Sequence, residues 1–419
     1  NHTALELGMA EAVRGRHFSI VLNGYCLPLE ADETAPYLTL TLEDEDVETA
    51  QLHYDLSVPC QGCALLPEGE RDRETTLEIL SRAVDRIDLR YPHSGDYARS
   101  VTAAREYLRQ AYYEKRRAVP PSAVAECVGH THIDVAWLWD LEQTRHKAVR
   151  SFSTVLKLMD RYPEYKFMSS QAALYQMVKE DEPELYGRIK KAVADGRWEP
   201  EGGMWLEADC NVTAGESLAR QFLYGQKFFR EEFGRASRIL WLPDVFGYSA
   251  ALPQLMKLSG IDYFMTTKLS WSEFNLTPYD TFVWKGIDGS SVLTHFSPSR
   301  EPDYNRQVKD DNTDHGLPHY TTYNALLQPS QIAGGWQRFQ QKDLDDRYLV
   351  SYGYGDGGGG PTEWMLENAR RMGAPAPGTP AVEQTFALEF FEALEKRVKD
   401  DPRLPRWSGE LYLEYHRGT

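Results

Sequence analysis

The chain has 419 residues, enough for one large α/β barrel with an appendage or for two or three domains, and ample for a sizeable core. Its 46 basic and 63 acidic residues leave a formal charge of −17, which repels phosphate backbones and anionic lipid, and no local basic patch offsets it, so nucleic-acid and membrane partners are not expected. No apolar run approaches the roughly 20 residues of a membrane helix, no charged-then-apolar leader opens the chain, and five cysteines (Cys26, Cys60, Cys63, Cys127, Cys210) do not make a complete disulfide framework; a cytoplasmic protein is expected.

The chain opens on Asn1 and stops at Thr419 just after a motif-like segment, which reads as a piece of something longer. Alternation of apolar and polar residues over 16–54 ("HFSIVLNGY", "YLTLTL", "TAQLHYDL") predicts a small β-rich unit. Cys60 and Cys63 form a CxxC, but no second pair or nearby His completes a tetrahedral site. Apolar residues at helical spacing predict helices over 74–88 and 97–117, and Pro120 and Pro121 then break the pattern. A boundary is placed there, giving an accessory region over 1–120 and a second domain over 121–419.

From residue 121 short apolar strands alternate with loops and helices, the grammar of βα units with a mainly parallel sheet. The strand candidates are "AVAECVG", "YKFMSSQ", "RWEPEGGMWLE", "SRILWLP", "IDYFMTT", "SVLTHFS" and "RYLVSYGYG". The helices between them, "AALYQMVKEDEPELYGRIKKAVADG", "GESLARQFLYGQKFFREEFG" and "ALPQLMKLSG", each end in glycine, as helix C-termini tend to. About seven such units predict a barrel-like α/β domain. The polar, irregular stretch 301–341 is read as an active-site loop or a surface excursion.

In such folds reactive groups collect where strands deliver the chain to the following loops. Three strand ends carry chemistry. At the first, His130, His132 and Asp134 alternate, and residues two apart on an extended segment share a side, so the His-x-Asp pair can chelate one ion. Imidazole and carboxylate suit Zn²⁺, with Mn²⁺ or Co²⁺ as substitutes; the plainer reading is a polar strand end with histidines bonded to backbone. At the second, "ILWLPDVFGYSAALPQ", Pro243 fixes the approach to Asp244, which is either a helix cap or a carboxylate set among aromatics. At the third, "SYGYGDGGGGPTEWM", Asp356 precedes four glycines. No Lys-Ser/Thr follows them, so the phosphate-loop pattern fails, and the glycines are read as letting the backbone lie close to a ligand that Asp356 faces. Paired carboxylates with aromatic platforms, which 10 Trp and 24 Tyr supply amply, are the equipment of glycoside hydrolysis.

"HTHIDVAWLW", "GRWEPEGGMWLEADCN", "WLPDVFGYSAALPQ", "GDGGGGPT" and the terminal "GELYLEYHRGT" together resemble the α-mannosidases of glycoside hydrolase family 38, particularly their bacterial and cytosolic branch, over residues 124–419. The resemblance implies a seven-stranded α/β barrel, a retaining mechanism acting on mannose-containing oligosaccharides, and one Zn²⁺ that contacts the sugar, with Co²⁺ or another divalent ion as a substitute. It implies His132, Asp134, Asp244 and His416 as metal ligands, Asp244 also as nucleophile, and Trp137 stacked on the sugar. The family's animal members carry two aspartates where this chain has Asp356 alone, and Asp356 takes the acid/base role. Glu207 and Asp209 in "WLEADCN" are sugar-binding candidates, with hydrogen bonding to the next loop as the alternative. Trp271 is a candidate subsite wall, His295 a pocket residue, and His130 a support for His132. Two rivals stand beside this reading: an amidohydrolase-like zinc hydrolase, which needs His295 and His416 as further ligands, and a sugar-binding fragment without catalysis. A homo-oligomer is compatible with the sequence.

Overall fold

The computed structural model describes residues 46–272, 275–302 and 320–412. From Val47 onward the chain forms one compact unit. The strands expected over 16–45 lie outside the described residues, but the last part of that region is corrected: Val47–Cys63 is a helix, α1, which the short alternation in "TAQLHYDL" does not betray. Helices α2 (Arg71–Val84) and α3 (Gly95–Leu108) follow, then a π turn over Arg109–Tyr113 and a last short helix, α4 (Glu114–Arg117). Glu70 caps α2 by accepting from the Asp72 and Arg73 amides, and Ser94 caps α3 by accepting from that of Tyr97. Leu52, Leu80, Val101, Leu108 and Tyr112 make the shared core of these helices.

Each of the seven strand candidates contains a strand: β1 (Val124–His130), β2 (Phe167–Ser169), β3 (Trp198–Pro200), β4 (Ile239–Trp241), β5 (Tyr263–Thr266), β7 (Ser291–Phe296) and β8 (Arg347–Tyr352). β1 is buried at every residue, as a parallel strand covered on both faces must be. Three further strands escaped the reading: β6 (Thr281–Lys285), β9 (Ala381–Gln384) and β10 (Arg406–Ser408). One five-stranded sheet runs β3-β2-β1-β8, with β9 also on β1, all parallel. The other runs β10-β6-β7-β5-β4, where only the β6–β7 hairpin is antiparallel.

The sheets touch through a parallel bridge between Gly202 and Leu240, just beyond β3 and within β4. Between β7 and β8, His295 Nε2 accepts from the Leu349 amide at 3.2 Å and Ser297 Oγ donates to the Leu349 carbonyl at 3.1 Å. Val128, Met168, Trp241, Met265, Leu293 and Leu349, from six strands of both sheets, meet in one core cluster, which Phe390, Phe391 and Leu394 of a late helix (Ala387–Val398) join.

The helices between strands follow the expected order with one correction. Helix α5 (Leu141–Arg161) lies between β1 and β2, and the long segment after β2 is two helices, α6 (Ala172–Asp181) and α7 (Pro183–Ala194). Pro183 cannot donate to the turn before it, so the first helix stops at Asp181 and the second starts on the proline. Helix α8 (Gly215–Phe233) ends on Gly234 at φ +71, the left-handed cap that glycine takes without strain. No helix of the described residues is long and apolar enough to cross a membrane.

Candidate active site

The side chains that matter leave the carboxyl ends of the strands. His132 and Asp134 follow β1, Glu207 follows β3, Asp244 follows β4, Lys268 follows β5 and Asp356 follows β8. Two of these loops are joined along their backbones: the Asp134 amide donates to the Asp356 carbonyl at 2.8 Å, and Ile133 bridges Gly357 in antiparallel fashion. Thr131 adds a bond from its hydroxyl to the Tyr354 carbonyl at 3.2 Å. The glycines make this close approach workable. A Cβ on Gly353, at φ +125, would run into the His130 carbonyl, and one on Gly358 into Ser151 Oγ. Glycine at these two positions thus lets the loop backbone approach other parts of the protein. Asp356 itself stands at φ +61, a left-handed conformation that costs a non-glycine residue about 1 kcal/mol or more and here turns the carboxylate to its neighbours.

His132, Asp134, Asp244 and Asp356 come together, with one ligand atom of each lying within 4.8 Å of all the others. His132 Nε2 is 3.2 Å from Asp134 Oδ1 and 3.7 Å from Asp244 Oδ2. Its Nδ1 lies 2.7 Å from Glu207 Oε2, a close ionic contact without good hydrogen-bond angles. Burial works against a charge on His132, but Glu207, Asp134 and Asp244 outweigh it and hold the imidazole's pKa well above the ordinary value. A nitrogen and several carboxylate oxygens converging on one point are a donor set that fits Zn²⁺ and other divalent ions. His416 lies outside the described residues.

Asp244 is gripped from two sides. Lys268 Nζ pairs with its Oδ1, and the Tyr323 hydroxyl donates to its Oδ2 at 2.9 Å and to Asp356 Oδ1 at 2.7 Å. Lys268 is almost wholly buried and sits 3.6 Å over the ring of Trp271, a cation–π contact that places this tryptophan beside the lysine that holds Asp244. Burial, reinforced by the two carboxylates, pushes the Tyr323 hydroxyl's pKa well up, which keeps it a donor. Neither residue was singled out in the sequence. No motif marks a lone lysine or tyrosine in an irregular loop, and their meaning lies wholly in what they touch.

Other candidates sit elsewhere. Glu207 accepts from Ser170 Oγ at 2.6 Å and meets His132 at Nδ1, the ring nitrogen opposite the one that faces Asp134 and Asp244. Asp209 is exposed and accepts from the Asn211 and Val212 amides of its own loop. Trp137 is 57 % exposed on the loop after β1, edge-on to Trp139 at 5.5 Å. His295 is not at the cluster: it is fully buried, with Nδ1 paired to Thr281 Oγ1 at 2.8 Å and Nε2 to the Leu349 amide. Burial, with repulsion from Arg397, pushes its pKa down to about 3. The amidohydrolase scheme loses its nearest extra ligand there. His130 also turns away, bonding the Met168 carbonyl through Nδ1 at 3.1 Å and meeting Trp241 edge-on, so it does not support His132.

Residues 123–410 match the N-terminal domain of the glycosyl hydrolases family 38. The chain is 36% identical over 402 residues to alpha-mannosidase G of Dictyostelium discoideum, covering 96% of this chain and 34% of that protein. It is 41% identical over 337 residues to an alpha-mannosidase of Saccharomyces cerevisiae, covering 76% of this chain and 29% of that one. The chain therefore spans about a third of the length of these curated relatives. In fold it is similar to the crystal structure of an alpha-mannosidase from Enterococcus faecalis V583, with a TM-score of 0.53 over 69% of this chain and 31% of the other, at 17% identity.

Proposed function

This chain belongs to glycosyl hydrolase family 38, and from that premise we propose that it carries the catalytic centre of a retaining α-mannosidase that removes terminal α-linked mannose from oligosaccharides. The observation that carries the reading is the convergence of His132, Asp134, Asp244 and Asp356 from three strand ends within 4.8 Å. The spacing of Asp244 and Asp356 suits two carboxyl groups that work on the same anomeric carbon without a water between them, about 5 to 5.5 Å in retaining enzymes against 6.5 Å or more in inverting ones. Strands β1, β2, β3, β4, β5, β7 and β8, with the contacts that join the two sheets, are read as the seven-stranded barrel that presents these residues.

In this reading Asp244 attacks the anomeric carbon and Asp356 gives its proton to the departing oxygen, then takes one from the water that releases the sugar. Lys268 and Tyr323 fix the attacking carboxylate. Trp137 offers its exposed ring to the sugar face, and Trp271 walls the site. His132, Asp134 and Asp244, with His416 as a fourth ligand, would hold a Zn²⁺. When bound, that ion supplies a Lewis-acidic grip on sugar hydroxyls and keeps Asp244 ionised. The cysteines Cys60, Cys63, Cys127 and Cys210 are unpaired, which supports a cytoplasmic setting.

The test uses the full-length gene product and an aryl α-mannoside. Chelation is expected to abolish turnover and Zn²⁺ or Co²⁺ to restore it, while Asp244→Ala stays inactive with metal present. Turnover that is indifferent to the chelator ends the metal role, and an Asp244→Ala variant near the wild-type rate ends the nucleophile assignment.

A further inference from the structure

We propose that Tyr323 is a shared positioning residue, its one hydroxyl serving Asp244 and Asp356 in turn as negative charge passes between them. The inference rests on the retaining α-mannosidase reading and adds to it a third party between the two carboxylates.

The geometry carries it. The Tyr323 oxygen is 2.9 Å from Asp244 Oδ2 and 2.7 Å from Asp356 Oδ1, so both oxygens are within full hydrogen-bond reach of a group that has a single hydrogen to give. The ring is held in place: it is 6 % exposed and meets His132 edge-on at 5.0 Å. Its backbone is held too, since the Thr322 amide donates to the Ser299 carbonyl at 2.8 Å and the Ala325 amide to the Ser351 carbonyl at 3.2 Å. What remains free is rotation of the hydroxyl hydrogen about the C–O bond, and that rotation is all that is needed to change acceptor.

The reaction supplies the reason for it to change. In the first half, an Asp244 oxygen bonds the anomeric carbon as the bond to the departing oxygen breaks, and the Asp356 proton goes to that oxygen. Negative charge has then left Asp244, now an ester, and resides on Asp356. In the second half, Asp356 takes a proton from water, the water oxygen bonds the anomeric carbon, the ester bond breaks, and the charge returns to Asp244. A hydrogen bond to a charged acceptor is stronger than one to a neutral ester or acid, so the hydroxyl follows the charge. Tyr323 therefore keeps both carboxylates aligned on the anomeric carbon through both halves without giving up its proton, and losing that alignment slows both.

The experiment is Tyr323→Phe in the full-length gene product, which keeps the ring and its packing on His132 and removes only the hydroxyl. Two aryl α-mannosides separate the halves: a dinitrophenyl substrate, whose turnover reports the second, and a substrate with a poor leaving group, whose turnover reports the first. Loss of one hydrogen bond to a charged group predicts that kcat falls by roughly 10- to 100-fold on both, with a much smaller change in KM. Bound metal and thermal midpoint stay at the wild-type values. As a second variant, 3-fluorotyrosine at position 323 restores the hydroxyl and should restore both rates to within a few-fold. An unchanged kcat for Tyr323→Phe overturns the proposal, and so does a loss confined to one substrate, which would assign the hydroxyl to one carboxylate alone. Failure of the underlying reading looks different: a wild-type protein inactive on both substrates, or an active Asp244→Ala variant, removes the α-mannosidase assignment and this proposal with it.

Discussion

Replacing Glu207 by Gln tests whether the histidine at the cluster is aimed by what stands behind it. Glu207 Oε2 faces His132 Nδ1 at 2.7 Å, with the two side chains 6 and 3 % exposed, and its other oxygen is taken by Ser170 Oγ at 2.6 Å. Glutamine keeps the volume but removes the charge, and its amide cannot accept at both ends. Losing the carboxylate charge that faces the imidazole is expected to weaken metal binding roughly 10- to 100-fold, the range typical of partners that orient a metal-binding imidazole. Glu207 also favours a proton on His132, and this opposes the metal at low pH; the deficit of the variant should therefore widen as pH rises. The assay is competition for Zn²⁺ or Co²⁺ against a chromophoric chelator at two pH values, with thermal melting as the control for folding. A Glu207→Gln protein that binds the ion within about twofold of wild type would refute the orienting argument and leave Glu207 as a neighbour without function.

Two further expectations concern the scaffold. Gly353→Ala places a Cβ against the His130 carbonyl at a φ of +125, so unfolding in denaturant should show a loss of at least about 2 kcal/mol; a loss below about half a kcal/mol would show that the loop gives way easily. His295 is buried neutral with its pKa pushed down to about 3, so below about pH 6.5 the unfolded chain takes up a proton that the folded one refuses. Its contribution is present above pH 6.5 and is lost, at about 1.4 kcal/mol per unit, as pH falls toward 3. Glu199 runs the opposite way, because burial pushes its pKa up to about 8, so the difference between wild type and His295→Gln isolates the histidine. Parallel stability curves for the two between pH 6.5 and 5 would falsify the assignment.

Much of the fold was legible because parallel strands covered on both faces must be apolar runs, and "AVAECVG" or "SRILWLP" cannot be solvated loops. The misses have equally physical causes. β6 and β7 form a hairpin around "KGIDGSS", where the Asp288-Gly289 pair was a readable turn signal overlooked in favour of the βα pattern. β10 is a three-residue strand with largely exposed ends and no apolar run to announce it. α1 reads as alternation because eight residues of "TAQLHYDL" fit either period, and only its packing decides. At the site, His132, Asp134, Asp244 and Asp356 stood out because ligand types at strand ends have few other uses. Glu207 stood out for its loop, but its contact with His132 was not legible, since a sequence cannot say which side chains a carboxylate meets. Lys268 and Tyr323 were invisible for the same reason, more strongly: they come from loops separated from Asp244 by 24 and 79 residues.

The charge balance of the cluster favours a divalent ion independently of family. Asp134, Asp244 and Asp356 have oxygens within 4.8 Å of one another, and Glu207 stands directly behind. At that separation two ionised carboxylates such as Asp134 and Asp244 repel by about 3 kcal/mol at an effective dielectric constant of about 20. Lys268 sets one positive charge against Asp244, and a protonated His132 would set a second, yet protonation would use the nitrogen that faces Asp134 and Asp244. A divalent ion takes the place of that proton with twice its charge and with lone-pair acceptance from several oxygens at once. The arrangement that is costly without an ion is one that a divalent ion would relieve, and Asp244, already held by Lys268 and Tyr323, is one of the carboxylates that would share it.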